Sequence, residues 1–414
     1  MTDAPREKPS HAAMDQFPSE GGELLIGGIP LTRLAARIGQ TPFYAYDRKL
    51  LTQRVAELRA SLPAGIKIHY AMKANPMPAL VGHMATLVDG IDVASANELK
   101  VALDSGADPH EISFAGPGKR HEELRQAVAA GILINVESFR EVTELAAIRQ
   151  ATGWSVRVAV RVNPDFELKS SGMKMGGGPK QFGVDAEQVP ALLAEIGTAG
   201  LLFEGFHLFA GSQNLRPEAI VEAQRKCFDL AVALAAHAPA PVRFLNLGGG
   251  FGIPYFPGER RLDLSSIATN LASISAEATQ KLPGAEIVIE LGRYLVGEAG
   301  VYVCKIVDRK ISRAHTFLVA DGGLHHHLSA SGNFGQVIRK NYPVAIGDRM
   351  DSPASDTVSV VGPLCTPLDL IADRMPLADA KPGNLVVVFQ SGAYGATASP
   401  RGFLSQPDLV EVLV

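Results

Sequence analysis

Through the middle of the chain, short apolar runs alternate with longer stretches whose apolar positions recur at helical spacing. The runs Lys67–Ala71, Ile91–Ser95, Ile112–Ala115, Leu133–Val136, Val156–Val162, Phe203–Phe209, Phe244–Leu247 and Glu286–Glu290 read as buried strands. Segments between them, such as Pro78–Val88, Glu122–Ala130 and Glu218–Ala236, carry the helical period. Eight strands alternating with helices between residues 67 and 290 predict a (β/α)₈ TIM barrel. An open doubly wound sheet would also alternate, but it sets its phosphate-binding glycines after the first strand. Here Gly248-Gly249-Gly250-Phe251-Gly252 follows the seventh.

Outside that region the pattern changes. Beyond residue 290 the segments Gly300–Val307, Thr316–Val319, Thr357–Val361 and Leu385–Phe389 are β-rich and punctuated by Gly, Pro and Asp, which predicts a C-terminal antiparallel β domain. The aromatic strand Phe43–Tyr46 is expected to pair with it, and Asp47 to cap a helix carrying Leu50, Leu51, Val55 and Leu58. Residues 1–22 mix polar residues without periodicity and are expected to form a disordered tail. The predicted division is therefore that tail, a barrel over 48–290, and a β domain assembled from 23–47 and 291–414.

Composition narrows the function class. The 414 residues, 46% apolar and 20% charged with net charge −4, suit a soluble protein of more than one domain. The apolar runs fall short of a bilayer span, and the N-terminal residues lack the basic-then-apolar order of a secretion signal, so a cytoplasmic location is expected. The absence of a basic cluster argues against nucleic acid. Cys227, Cys304 and Cys365 are odd in number and widely spaced, suggesting neither a disulfide framework nor a metal site.

The chemistry gathers at strand ends. Lys73, in His69-Tyr70-Ala71-Met72-Lys73-Ala74-Asn75-Pro76, stands where the first predicted barrel strand finishes, the end that carries catalysis in such barrels. The glycine run after the seventh strand could let backbone N–H groups approach a phosphate, though a tight turn would use the same residues. Glu290-Leu291-Gly292-Arg293 closes the eighth strand with a carboxylate suited to a pyridinium and a guanidinium suited to phosphate.

Together these motifs resemble the pyridoxal-phosphate barrel decarboxylases of the alanine-racemase-like fold, the ornithine, diaminopimelate and arginine decarboxylase family. The resemblance runs in order from Phe43 to Val414. It implies pyridoxal 5'-phosphate held by Lys73 as a Schiff base, Glu290 on the pyridine nitrogen, and Arg293, Ser212, Tyr394 and Gly248, Gly249, Gly250 and Gly292 around the phosphate. It also implies Asp92 and Glu98 as an acidic pair near the ring, Arg161 as the fifth-strand arginine, and Cys365 as the acid that returns a proton, contributed by the partner in a homodimer with shared active sites. Arg293, Asp369 and Tyr394 are the implied substrate contacts.

Departures from the family pattern bear on the substrate. Phe209 replaces the histidine that stacks on the ring, with His207 two residues earlier. Thr366 stands where a glutamate helps hold a diaminopimelate-type distal end, and His325-His326-His327-Leu328-Ser329 replaces the region of the distal-carboxylate ligands. The histidine run reads as a substrate-facing loop, a plain surface loop or a zinc-like tract. The expected reaction is decarboxylation at the α-carboxylate of an amino acid, free or attached to an acyl carrier protein. Within the family the chain looks most like exosortase-associated and carrier-linked decarboxylases. Diaminopimelate, ornithine or lysine decarboxylation are the alternatives, followed by racemisation and a non-catalytic binding role.

Overall fold

A computed structural model describes residues 9–166, 173–174 and 176–414, which divide into two compact units. One comprises Thr52–Gly252 and Leu262–Leu295; the other comprises the residues up to Leu51, Ile253–Arg261 and Val296–Val414.

The first unit is the barrel. Its strands are Lys67–Ala71, Gly90–Val93, Ile112–Phe114, Leu133–Val136, Arg157–Asn163, Leu202–Leu208, Phe244–Gly249 and Glu286–Leu291. Each pairs in parallel with the next, and the eighth closes on the first through Ile289 opposite Ile68 and Glu290 opposite His69. All eight predicted strands are present, with ends shifted by a residue or two. The interior strands are buried almost throughout, as expected when both faces of a parallel sheet are covered. A bulge between Phe203 and Gly205 kinks the sixth strand. Gly205 is obligatory there, because a Cβ on it would collide with the backbone of Phe244.

The second unit is mostly antiparallel sheet. Its six-strand path runs Val344–Ile346, Leu385–Val388, Gly300–Ser312, His315–Ala320, Ala354–Val361 and Leu370–Ala378. Phe43–Tyr46 pairs antiparallel with Gly300–Val303, as the sequence led us to expect, and Val410–Leu413 runs parallel along its other edge. A second parallel pairing joins Thr316–Val319 to Val358–Val361, so the domain is not purely antiparallel. Asp47 caps the following helix, its Oδ1 accepting from the amides of Lys49 and Leu50.

Two expectations about boundaries change. The expected tail is structured over its described part: Phe17 is buried with Leu24, Leu31, Phe43 and Val387, and its ring is tilted against that of Phe389. An isolated apolar residue in a polar stretch gives no periodicity, so its role as a plug was not readable. Likewise Ile253–Arg261, inside the span assigned to the barrel, belongs to the β unit, where Tyr255 packs on Tyr342 and Gln390 donates to the carbonyl of Pro254. Among the described residues no helix is long and apolar enough to cross a membrane.

Candidate active site

Lys73 sits in a single 3₁₀ turn, Met72–Ala74, directly after the first barrel strand. Met72 and Ala74 point into the core, so the turn projects Lys73 the other way. Tyr70 donates to the carbonyl of Asn75 at 2.8 Å and Asn75 accepts from the amide of Met77, fixing the segment on both sides of the lysine. Its Nζ lies 3.6 Å from Oε1 of Glu290 and 5.6 Å from the ring centroid of Phe209.

Glu290 is 5% exposed at the end of the eighth strand. A carboxylate only accepts, so the 3.0 Å contact between its Oε2 and Nε2 of His207 has the imidazole donating. Burial opposes ionisation of Glu290, but the Lys73 ammonium and the His207 bond outweigh it, with Arg161 adding to them, and hold the carboxyl well below its usual range.

The glycines hold these groups in register. A Cβ on Gly292 would come within 2.9 Å of the Ala71 carbonyl and the Ala74 side chain, so only glycine lets the Glu290–Arg293 turn close on the Lys73 turn. At Gly249 a Cβ would collide with the Glu290 carbonyl, at Gly250 with that of Gly211, and at Gly248 it would stand 3.0 Å from the Phe209 ring. The run thus answers to backbone packing, and one of its amides, that of Gly248, is taken by Oδ1 of Asn246 at 2.8 Å. Ser212 lies in the short strand Gly211–Ser212, paired with Met173–Lys174.

The acidic pair divides. Glu98 faces the charge of Lys73 while its Oε2 accepts from the amide of Ala94 at the start of a helix capped by Ser95; burial raises its pKa. Asp92 turns inside the barrel, accepting through Oδ1 from Nδ1 of His69 at 3.1 Å and from the Ser113 hydroxyl at 2.6 Å. Arg161 donates to Oε1 of Glu137 at 3.0 Å and covers the Phe182 ring. Glu137 also accepts from the amides of Gly116 and Gly183, and beside it the buried Lys119 and Glu141 meet at 3.0 Å. Sequence reasoning missed Glu137 and the bond made by His207. The signal for Glu137 was its place at the end of the fourth strand, where catalytic-face residues stand.

The β unit supplies three further candidates. Cys365 is exposed, unlike the buried thiols Cys227 and Cys304. Tyr394 adopts a positive φ of 52°, and its carbonyl accepts from the Ser329 hydroxyl. Asp369, expected to face a substrate ammonium, does something else. Its Oδ1 accepts from the amide of Leu324 at 2.6 Å and its Oδ2 from that of Leu364 at 2.8 Å, and a Cβ on Gly323 or Gly362 would collide with the carboxylate. The side chain is a buried clamp between two loops, one of them carrying Cys365.

His325, His326 and His327 form neither a surface loop nor a metal tract. All three are fully buried, and no group of candidate ligands is found among the described residues. His327 bonds Ser391 through Nε2 and is pushed down by burial to about 3; His326, held down to about 4, bonds the Pro407 carbonyl.

An amine beside a buried, ionised carboxylate and a flat ring is the donor set that pyridoxal phosphate requires, and these residues fit it. Residues 48–297 match the family model described as pyridoxal-dependent decarboxylase, pyridoxal binding domain. The chain is 37% identical over 389 residues, 92% of its length and 90% of the relative's, to the L-glutamyl-(BtrI acyl-carrier protein) decarboxylase of Niallia circulans. It is 31% identical to the diaminopimelate decarboxylase of Aquifex aeolicus over 95% of its own length and 91% of the relative's. The crystal structure of diaminopimelate decarboxylase from Helicobacter pylori with L-lysine superposes with TM-score 0.82 at 28% identity, covering 92% of this chain and 94% of that one.

Proposed function

This chain belongs to the pyridoxal-dependent decarboxylase family, and from that premise we propose that its substrate is an amino acid joined to a carrier protein, with a distal end that carries no free charge. The enzyme is a pyridoxal-phosphate-dependent amino-acid decarboxylase. When bound, the cofactor supplies an electron sink for the electron pair left at Cα by the departing CO₂. Lys73 would hold it covalently, and Arg293, Ser212 and Tyr394 would take its phosphate. Glu290, kept ionised by Lys73 and His207, would retain a proton at the ring nitrogen. Phe209 offers the flat apolar face, and Cys365 would return a proton to Cα.

The observation that carries the substrate reading is the Asp369 clamp. Each carboxylate oxygen accepts from a backbone amide and the residue is only 3% exposed, so burial closes the side chain off from a distal ammonium. Thr366 and Ser329 carry no charge either, and a desolvated ion left unpaired costs several kcal/mol. A side chain capped as a thioester escapes that penalty, in keeping with the reaction named for the Niallia circulans relative. A decarboxylation panel comparing carrier-linked glutamate with free diaminopimelate, ornithine and lysine tests it. Free meso-diaminopimelate should show kcat/KM at least about a hundredfold below the carrier-linked substrate, roughly 2.7 kcal/mol of transition-state binding. A value for free diaminopimelate of about 10⁴ M⁻¹s⁻¹ or more would overturn the reading.

The exposed Cys365 accords with a homodimer in which each barrel uses the partner's cysteine. Mixing inactive Lys73→Ala and Cys365→Ala proteins should then restore activity, because an exchanged heterodimer has one site free of both changes. No recovery despite demonstrated subunit exchange would refute the sharing.

A further inference from the structure

The end of the barrel where the strands begin, opposite Lys73 and Glu290, holds a cavity of about 310 Å³. Its lining includes the first residues of five strands, Ile112, Leu133, Arg157, Phe244 and Glu286. Its wall is buried at His69, Ser113, Leu133 and Phe244, and its mouth is exposed at Arg243 and Glu286.

The charges around it are unevenly matched. Glu111 and Glu286 both bond Nζ of Lys67, at 2.9 and 2.8 Å. Glu204 takes the Arg157 fork at 2.5 and 2.9 Å. Every acid in the lining thus has a basic partner, although Glu111 and Glu286 share one. Arg243, by contrast, has no ion-pair or hydrogen-bond partner for its guanidinium among the described residues. The group lies over Gly284, where a Cβ would collide with its Nη1.

Inside, His69 is 2% exposed and tied through Nδ1 to Asp92, while its Nε2 is buried without a hydrogen-bond partner. A buried polar atom of that kind requires an explanation. Gly90 makes room for the ring, since a Cβ there would stand 2.5 Å from Nε2. Burial opposes charging of His69, but Asp92 outweighs it, with Glu111 and Glu290 assisting, and raises its pKa.

We propose that this cavity is a second binding site, separate from the catalytic end, for a small dicarboxylate: one carboxylate on Arg243 at the mouth, the apolar middle on Leu133 and Phe244, and the other carboxylate on Nε2 of His69. The volume is at the small end of ligand cavities, which excludes larger anions. A diamine is disfavoured, because no carboxylate of the lining lacks a partner.

Calorimetric titration of the holoenzyme with succinate, and with butyrate as the monocarboxylate of equal chain length, tests the site. Succinate should bind saturably, and Arg243→Ala should weaken it by at least about tenfold, the loss of one charge-assisted contact, while turnover is unchanged. Butyrate should bind at least about tenfold more weakly than succinate, since it leaves His69 unmet. The His69 imidazole signals should shift on saturation, and Lys73→Ala protein should bind succinate as the wild type does. The proposal fails if succinate does not saturate, if Arg243→Ala binds it unchanged, if butyrate matches succinate, or if Lys73→Ala abolishes binding.

Discussion

Two buried carboxylates, one in each unit, face opposite fates. Glu290 in the barrel is answered by side chains, the Lys73 ammonium and the His207 imidazole, and is held ionised below the usual range. Asp369 in the β unit is answered by two backbone amides; burial dominates and pushes its pKa up. An acid surrounded by mobile, chargeable groups can exchange them for a ligand. One closed off by amides can only hold the backbone where it is. The contrast separates a group that does chemistry from one that supports it, although both were candidates on sequence grounds.

The most severe way to probe the barrel side is Lys73→Ala, which should abolish the borohydride-reducible bond to the cofactor and lower turnover by orders of magnitude with little change in thermal stability. A retained reducible bond would remove Lys73 from its assigned role. Next, Glu290→Gln should cost about 10² to 10³ in kcat/KM, in line with deleting one preorganised electrostatic group, while the folded protein stays intact. Asp369→Asn should do the reverse. Its amide nitrogen would face the N–H of Leu324 or Leu364, costing about 1–3 kcal/mol of stability in a thermal or urea melt, with kcat/KM per folded molecule changing by less than about tenfold. If Asp369→Asn instead keeps full stability and loses turnover, the two carboxylates are alike and the contrast is wrong.

The smallest expected effect is on pH. His327 is buried neutral, with a pKa near 3 when folded against 6.5 ordinarily. The unfolded chain therefore binds the proton more readily. The stability contribution is complete above about pH 6.5 and declines as the pH falls toward 3. Urea midpoints at pH 7 and pH 4.5 should differ, and His327→Gln should reduce that difference. An unchanged difference would show that His327 does not titrate on unfolding.

Much of this was readable from residues alone. Strand runs and helical spacing marked all eight barrel strands, because a parallel sheet covered on both faces writes continuous apolar runs. Lys73, Glu290 and Gly292 converge as their strand-end positions implied. Long-range partners were not readable. Nothing local says that Glu137 will collect Arg161 together with two distant amides, or that Asp369 will spend both oxygens on Leu324 and Leu364. Phe17 and the Ile253–Arg261 segment failed for the same reason, since single contacts across the chain leave no period. The histidine run looked polar, yet its residues are packed as uncharged rings, a choice set by what surrounds them.

The strand Phe43–Tyr46 lies between Gly300–Val303 on one side and Val410–Leu413 on the other. Its position imposes an order on biosynthesis. A ribosome releases this segment early, at about 5 to 20 residues per second, and must deliver most of the remaining chain before the first neighbour exists and nearly all of it before the second. The barrel has all its strands once Leu291 has emerged and can close during translation. Meanwhile the apolar ribbon Phe-Tyr-Ala-Tyr waits with both edges open, a template for unwanted strand pairing. Nascent chains stalled once residue 295 has emerged from the ribosome should therefore hold a folded barrel and an unsatisfied strand, making this the interval in which a chaperone has most to protect.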